Sequence, residues 1–313
     1  SRSVDFDSKF VLQNINNKES LEINSYIKKL YIDKDVATAF SSLINENKTK
    51  EQLIALFPIN IYGKGKYSHA SSNTDLTITT EHGNITISGI LNKLRHTQFS
   101  ISSDSFNFQH ILKKQNLLGN AIFSIKGSAE IDKDNPQINI ESEIKELEIK
   151  GYKYKNISIN GNYKDKSTTA VLNIEDPNIN LTSQAFYMGN NQSSSFKTDT
   201  KIGLFRPNNL LLSTKYPNIS FSTDIKAEFK GKNIEDLNGE AHIYNFTMNE
   251  QNEIYNLDTI SFSAYSNKQY KQYILDSEFL FAELEGKFNF EQILANGKKM
   301  IGKHVPSLIQ SPL

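Results

Sequence analysis

The residues best suited to acid–base or metal chemistry in this 313-residue chain are six histidines, at 69, 82, 96, 110, 242 and 304, and 35 carboxylates. A metal site needs ligands that converge, which shows in sequence as His-Glu-x-x-His or as histidines at i, i+2 or i, i+4. No two of these histidines stand so. Five lie among polar or turn residues and His242 sits in an alternating stretch, so solvated or structural imidazoles are expected. The carboxylate pairs Glu141/Glu143, Glu146/Glu148 and Glu283/Glu285 are two residues apart. On a strand each pair shares one face, the geometry a glycosidase dyad would need. Each alternates with apolar or strand-forming residues, however, as a solvated outer face does. There is no cysteine, which removes thiol catalysis, Cys-based zinc sites and iron–sulfur clusters. No Gly-x-Ser-x-Gly elbow, phosphate-binding loop or dinucleotide fingerprint appears, and Gly63-Lys64-Gly65 reads as a turn. The expectation is a protein that is not an enzyme and needs no cofactor and no metal.

Lys and Arg total 35 against 35 Asp and Glu, a net charge of zero, so the basic excess that binds phosphates is missing and nucleic acid is not an expected partner. Hydrophobic residues make up 37%, below the usual ~45–50%, and mean hydropathy is −0.49. That is too little apolar material for a deep core around every residue; something thin is expected. No run approaches the ~18–20 apolar residues of a membrane span. The polar, abrupt opening Ser1-Arg2-Ser3-Val4-Asp5 predicts a piece cut from something longer.

The elements that would position any site read mainly as strands. Apolar residues alternate with Ser, Thr, Asn, Lys and Glu at Leu76–Thr79, Ile85–Ile87, Phe123–Gly127, Ile138–Ile140, Leu147–Ile149, Ile157–Ile159, Ile179–Leu181, Leu210–Leu212, Ile219–Phe221, Ile225–Phe229, Ile260–Phe262 and Phe279–Phe281. Such alternation buries one face and wets the other. Helical spacing appears over 33–57, as an insertion: Val36, Ala37, Phe40, Leu43 and Ile44 form one stripe behind an Asp33 N-cap. Thr49-Lys50-Glu51-Gln52 then reads as a capping box opening a second helix that Pro58 stops. A C-terminal helical segment is expected over 289–304. Sequons at Asn84, Asn156, Asn180, Asn191, Asn218 and Asn245 read as chance in an Asn-rich chain, and Asn on strands as compositional drift.

An apolar-polar-apolar triplet, usually behind Pro or Thr and then Asn or Gln, recurs along the chain. Its apolar positions are Ile59 and Ile61, Phe99 and Ile101, Ile138 and Ile140, Ile179 and Leu181, Ile219 and Phe221, Ile260 and Phe262. The steps are 40, 39, 41, 40 and 41 residues, which predicts one elongated repeat structure over 1–313 built from roughly 40-residue units of three or four strands. A WD-type propeller shares the period but needs Trp, and the chain has none. Three short helices cannot cover the apolar face of six repeats. The sheet must therefore close on itself, stack on a second sheet, or form an open trough whose inside holds an apolar ligand, with the twelve triplet residues as its lining.

Phe229-Lys-Gly-Lys-Asn-Ile-Glu-Asp-Leu-Asn-Gly-Glu-Ala-His-Ile243 followed by Leu257–Ala264 resembles the repeat of the TamB family, in the AsmA-like superfamily, of the type found in Bacteroidota. Leu280-Phe-Ala-Glu-Leu-Glu-Gly-Lys-Phe-Asn-Phe290 with His304–Leu308, and Leu147–Gly161 with Ala170–Leu181, extend the similarity to about residues 70–310. The resemblance implies an elongated, curved β-sheet, a β-taco, with an open hydrophobic groove. It implies a periplasmic, bridge-like conduit carrying phospholipid between inner and outer membranes, with a related role in outer-membrane protein assembly. It also implies a parent protein anchored in the inner membrane by an N-terminal helix absent from this chain, and a TamA-type outer-membrane barrel as partner through that parent. The competing expectation is a structural or adhesive β-solenoid or sandwich array without ligand; a polysaccharide-degrading β-helix would need carboxylates clustered on one exposed face.

Overall fold

Strict alternation of apolar and polar residues turns into a mainly β protein, with 72% of the described residues in strands and two helices among them. The computed structural model describes residues 3–41, 47–93, 96–109, 111, 117–132, 135–189, 193–214, 218–251, 253–267 and 269–289. The C-terminal helical segment expected over 289–304 lies, past its first residue, outside them, as do His110 and His304. In chain order come strands β1 (Val4–Gln13) and β2 (Glu22–Ile32), helices α1 (Lys34–Phe40) and α2 (Asn47–Ile54), and strands β3 (Ile59–Ser68), β4 (Ser71–Thr80), β5 (Gly83–Asn92), β6 (His96–Asn107), β7 (Leu118–Glu130), β8 (Gln137–Ile149), β9 (Tyr152–Lys164) and β10 (Ser167–Asp176). There follow β11 (Ile179–Gly189), β12 (Ser194–Phe205), β13 (Ile219–Gly231), a 3-10 turn, β14 (Asn238–Glu250), β15 (Glu253–Ser266), β16 (Lys271–Ser277) and β17 (Phe281–Gly286).

The chain divides into a first unit, residues 1–182 with 204–219, and a second, 183–203 with 220–313. In the first, β1 to β10 form an antiparallel meander in which each strand pairs with the next. In the second, β14 to β17 do the same. Among the described residues no helix is long and apolar enough to cross a membrane.

Asp33 caps α1 as expected: its Oδ1 accepts the Val36 N–H at 2.9 Å and its Oδ2 the Ser3 N–H at 2.8 Å. Those backbone donors hold its carboxyl below the usual carboxylate range. α2 starts at Asn47, two residues ahead of the expected Thr49 cap. Leu210–Leu212 is not a strand but lies in the turns that follow β12, with Leu210 fully buried. Gly63-Lys64-Gly65 is not a turn; all three residues belong to β3. Phe279 lies in the turn before β17 rather than in a strand.

The 40-residue spacing does not mark a repeated set of strands. From one triplet to the next the chain advances three strands, then two, three, two and two. Three short strands such as the 10-residue β3, β4 and β5 fill the same length as two long ones such as the 12- and 13-residue β6 and β7. The equal steps are a coincidence of strand lengths.

Candidate functional site

Residues paired across an antiparallel ladder lie on the same face, so the registers of the first unit show which side chains assemble. One row crosses β2 to β10 as Ile27, Gly63, Leu76, Ile87, Ile101, Ile125, Ser142, Ile159 and Leu172. The next row on that face crosses β1 to β10 as Phe10, Ser25, Gly65, Thr74, Gly89, Phe99, Gly127, Ile140, Gly161 and Ala170. Between these rows, on the opposite face, run Asp75, Ser88, Ser100, Lys126, Glu141 and Asn160. Binary patterning therefore holds in the main: one face is mostly apolar, interrupted by Ser25, Thr74 and Ser142, and the other is mostly polar. Of the expected lining residues, Ile59, Ile61, Phe99, Ile101, Ile138 and Ile140 all fall on the apolar face, and in the second unit Ile260 and Phe262 share the face of Ile243, Ala241 and Leu275. Ile179 is buried and Leu181 half-buried, in β11; Ile219 and Phe221 are half-buried in β13.

Where a strand departs from alternation, a bulge returns its apolar residues to the same face. β2 carries one extra residue at Lys28, so Ile27 and Leu30, three apart, both point to the apolar side. β6 carries one between Ser103 and Phe106, and β8 one at Lys145, which brings Leu147 onto the face of Ile144.

The second row alternates glycine with larger residues: Gly65, Gly89, Gly127 and Gly161 stand on β3, β5, β7 and β9. At Gly127 the missing side chain is required. A Cβ there would come within 2.4 Å of Phe99 Cζ and 2.7 Å of the Asn139 carbonyl oxygen, so the Phe99 ring lies directly over the glycine.

The apolar face is incompletely covered. Neither helix packs across it; α1 and α2 pack on each other, and α2 is tied to the β4–β5 turn by His82 Nε2 and the Ala55 carbonyl at 2.9 Å. Ile140 and Ile159, well inside the meander, remain 38% and 37% exposed. At one end the face is sealed: Phe106 is 1% and Ala121 2% exposed, with Phe108 edge-on to Phe106 at 5.0 Å. At that same end Asp176, buried, accepts the Tyr152 hydroxyl at 2.5 Å, the Lys155 N–H at 3.0 Å and the Asn178 N–H at 2.9 Å. Arg206 and Asn209 fasten the Leu210 loop to the Pro177-Asn178 turn. Burial first, and then the bond to Asp176, raise the Tyr152 phenol above its ordinary value; burial does the same at Tyr154.

The polar side carries a depression of about 490 Å³, walled by the Asp75-to-Glu141 row and by Asn73, Ile90, Gln98, Ser128 and Asn139. Of the twelve expected lining residues only Phe99 borders it. Two of the three carboxylate pairs have structural partners: Glu146 meets Lys153 at 2.8 Å, Glu148 accepts the Asn120 N–H, Glu283 meets Gln272 and Glu285 accepts the Tyr270 hydroxyl; of the third pair, Glu141 borders the depression. His242 contacts Ser261 at 3.0 Å. No group of three or more metal-ligating side chains occurs among the described residues.

Compositional drift does not account for two of the strand asparagines. Asn156 and Asn245 stand inside β9 and β14 with φ of 50° and 52°, the left-handed region that Asn tolerates better than other non-glycine residues. Their signal in the sequence is the apolar spacing of three on either side, Tyr154 to Ile157 and Ile243 to Phe246.

Compared with protein-family models, with curated proteins and with solved structures, the chain matches none.

Proposed function

We propose that the chain is a lipid-transfer conduit whose apolar face carries acyl chains along a hydrophobic groove. One observation carries this reading: a mostly apolar face that spans the meander and leaves Ile140 and Ile159 exposed in its interior, where an ordinary core would be covered. Removing apolar surface from water is worth ~25 cal/mol per Å², so an acyl chain laid over Ile140, Ile159 and Leu172 recovers what the fold leaves unburied. The resemblance to TamB-type repeats supports phospholipid as the cargo and the periplasm as the setting. It also supports an inner-membrane-anchored parent protein that reaches a TamA-type barrel, and a part in outer-membrane protein assembly.

Photo-crosslinking residues placed at Ile140 and Ile159, followed by mass spectrometry of purified protein, are expected to capture lipid, whereas the same probe at Glu143 on the polar face captures none. Absence of bound lipid together with equal labelling of both faces would sink the conduit. A structural array without ligand is favoured by one feature alone, the sealed end around Phe106, Ala121 and Ile157, which packs like an ordinary core.

A further inference from the structure

We propose that the polar face of the first unit carries a binding site of its own, a shallow trough over β4 to β8 that takes a neutral oligosaccharide. The lipid reading concerns the opposite face. The trough exists because short side chains stand between long ones: Ser88 opposite Ser100, and Ser128 in the next row, form the floor, and Gln98, Lys126 and Glu141 rise around it. Elsewhere on this face opposite charges meet, Lys64 with Asp75 at 3.7 Å and Lys66 with Glu22 at 3.1 Å. Inside the trough that habit lapses. Lys126 and Glu141 stand directly opposite each other in β7 and β8, yet among the described residues they form no ion pair and neither has another partner. Gln98 and the three serines likewise make no side-chain hydrogen bond among the described residues. Six polar side chains thus face one concavity with donors and acceptors unspent.

The chemistry of the wall selects the ligand. Hydroxyls, an amide, an ammonium and a carboxylate supply donors and acceptors together, and charge is balanced, Lys126 against Glu141 and Lys64 against Asp75. Without a basic excess a polyanion is not held. A bare acyl chain would take water from these groups and return no hydrogen bond. What matches is a molecule with a hydroxyl rim and C–H faces. Apolar platforms for those faces stand on the same side: Ile90 in the trough, 47% exposed, and Tyr26 and Tyr62, 49% and 46% exposed, in an adjoining depression of about 740 Å³ that shares Asp75 with the first. The registers place them, with Tyr26 opposite Lys64 and Lys64 opposite Asp75 in one row, and Tyr62 opposite Thr77 in the next row on that face. A tyrosine ring with an apolar face and a polar tip suits a sugar ring, which is apolar on its face and wet at its rim. From β2 to β8 the two depressions cross six strand spacings, ~29 Å at ~4.8 Å each, so the fit is to a chain of sugars rather than to a single one.

Binding of the full chain to an array of gluco-, manno-, galacto- and xylo-oligosaccharides of graded length, with sulfated and uronic-acid oligosaccharides alongside, tests this. The native chain is expected to hold at least one neutral series, more tightly as length grows, and none of the charged ones. Ser100→Tyr fills the floor and should weaken binding by about ten-fold or more. Gln98→Ala and Lys126→Ala each remove a hydrogen-bonding group and should weaken it roughly three- to ten-fold. Tyr62→Ala should weaken only the longer ligands, because the shortest ones do not reach the adjoining depression. Glu143→Gln, on the same face but outside the trough, should bind like the native chain. Matching unfolding midpoints show that each variant is folded, and if Ser100→Tyr is not, the two alanine variants decide. A native chain that holds no neutral oligosaccharide or only charged ones, folded trough variants that bind like the native chain, or a Glu143→Gln chain that loses as much as they do would each overturn the proposal.

Discussion

The two ends of the apolar face in the first unit are built from the same residue types and behave differently. At one end lie Phe106, Ala121, Ile157 and Leu210, all buried, amid bulges in β6, β7 and β8 and beside the Tyr152–Asp176–Asn178 network. At the other, β3 to β10 pair in unbroken register through Gly65, Gly89, Phe99, Gly127 and Ile140, and the face stays half-exposed. Bulges sharpen local twist and let loops fold back over a sheet end; regular pairing with a glycine row leaves a low, open surface. Sealing thus depends on irregular backbone and polar fastening rather than on more apolar side chains, and the open end is where a ligand can be accommodated.

The comparison breaks first under truncation. Phe106→Ala is expected to cost ~3–5 kcal/mol, the range for emptying a well-packed aromatic site, while Ile159→Ala at the open end costs under about 1 kcal/mol because its side chain is already partly in water. Denaturant unfolding of the two variants decides it; equal losses would mean that the open end is packed as tightly as the sealed one. Next in size is Gly127→Ala, expected to cost ~1–3 kcal/mol by overpacking, since the added methyl meets the Asn139 carbonyl as well as the Phe99 ring. Phe99→Leu in the same chain should recover only the part due to the ring. Smaller again, Asn156→Val should cost ~1–2 kcal/mol for a β-branched residue held at positive φ, whereas Asn156→Gly should be close to neutral.

Much of this fold was legible because period-two alternation is a direct record of one buried and one wet face, and the six triplet residues of β3, β6 and β8 land on one face as read. β2 was missed because Ile23, Tyr26, Ile27, Leu30 and Tyr31 have the spacing of a helix. Only the partner strands reveal that Lys28 is an extra residue and the rest alternate. The seal at Phe106 was equally hidden, since it depends on Phe108 and the Leu210 loop returning from distant sequence. The 40-residue rhythm misled because spacing along the chain cannot tell three short strands from two long ones.

The smallest effect separates the ends by pH. The Tyr152 hydroxyl donates to Asp176 and accepts from Asn178 Nδ2 at 3.0 Å, and its pKa is raised by burial and then by the carboxylate. A phenol whose folded value lies above its unfolded value near 10 adds stability that is fully present below that pH. The contribution disappears as pH rises through the folded value, because the phenolate then faces Asp176. Tyr152→Phe should therefore lower stability by ~1 kcal/mol near neutrality, the net worth of a buried hydrogen bond, and should flatten the alkaline decline. Denaturation midpoints of both chains from pH 8 to about 11 test it. Parallel declines would mean that Tyr152 does not couple the sealed end to pH, and that Tyr154, whose phenol is also raised by burial and by Asp176, carries the effect instead.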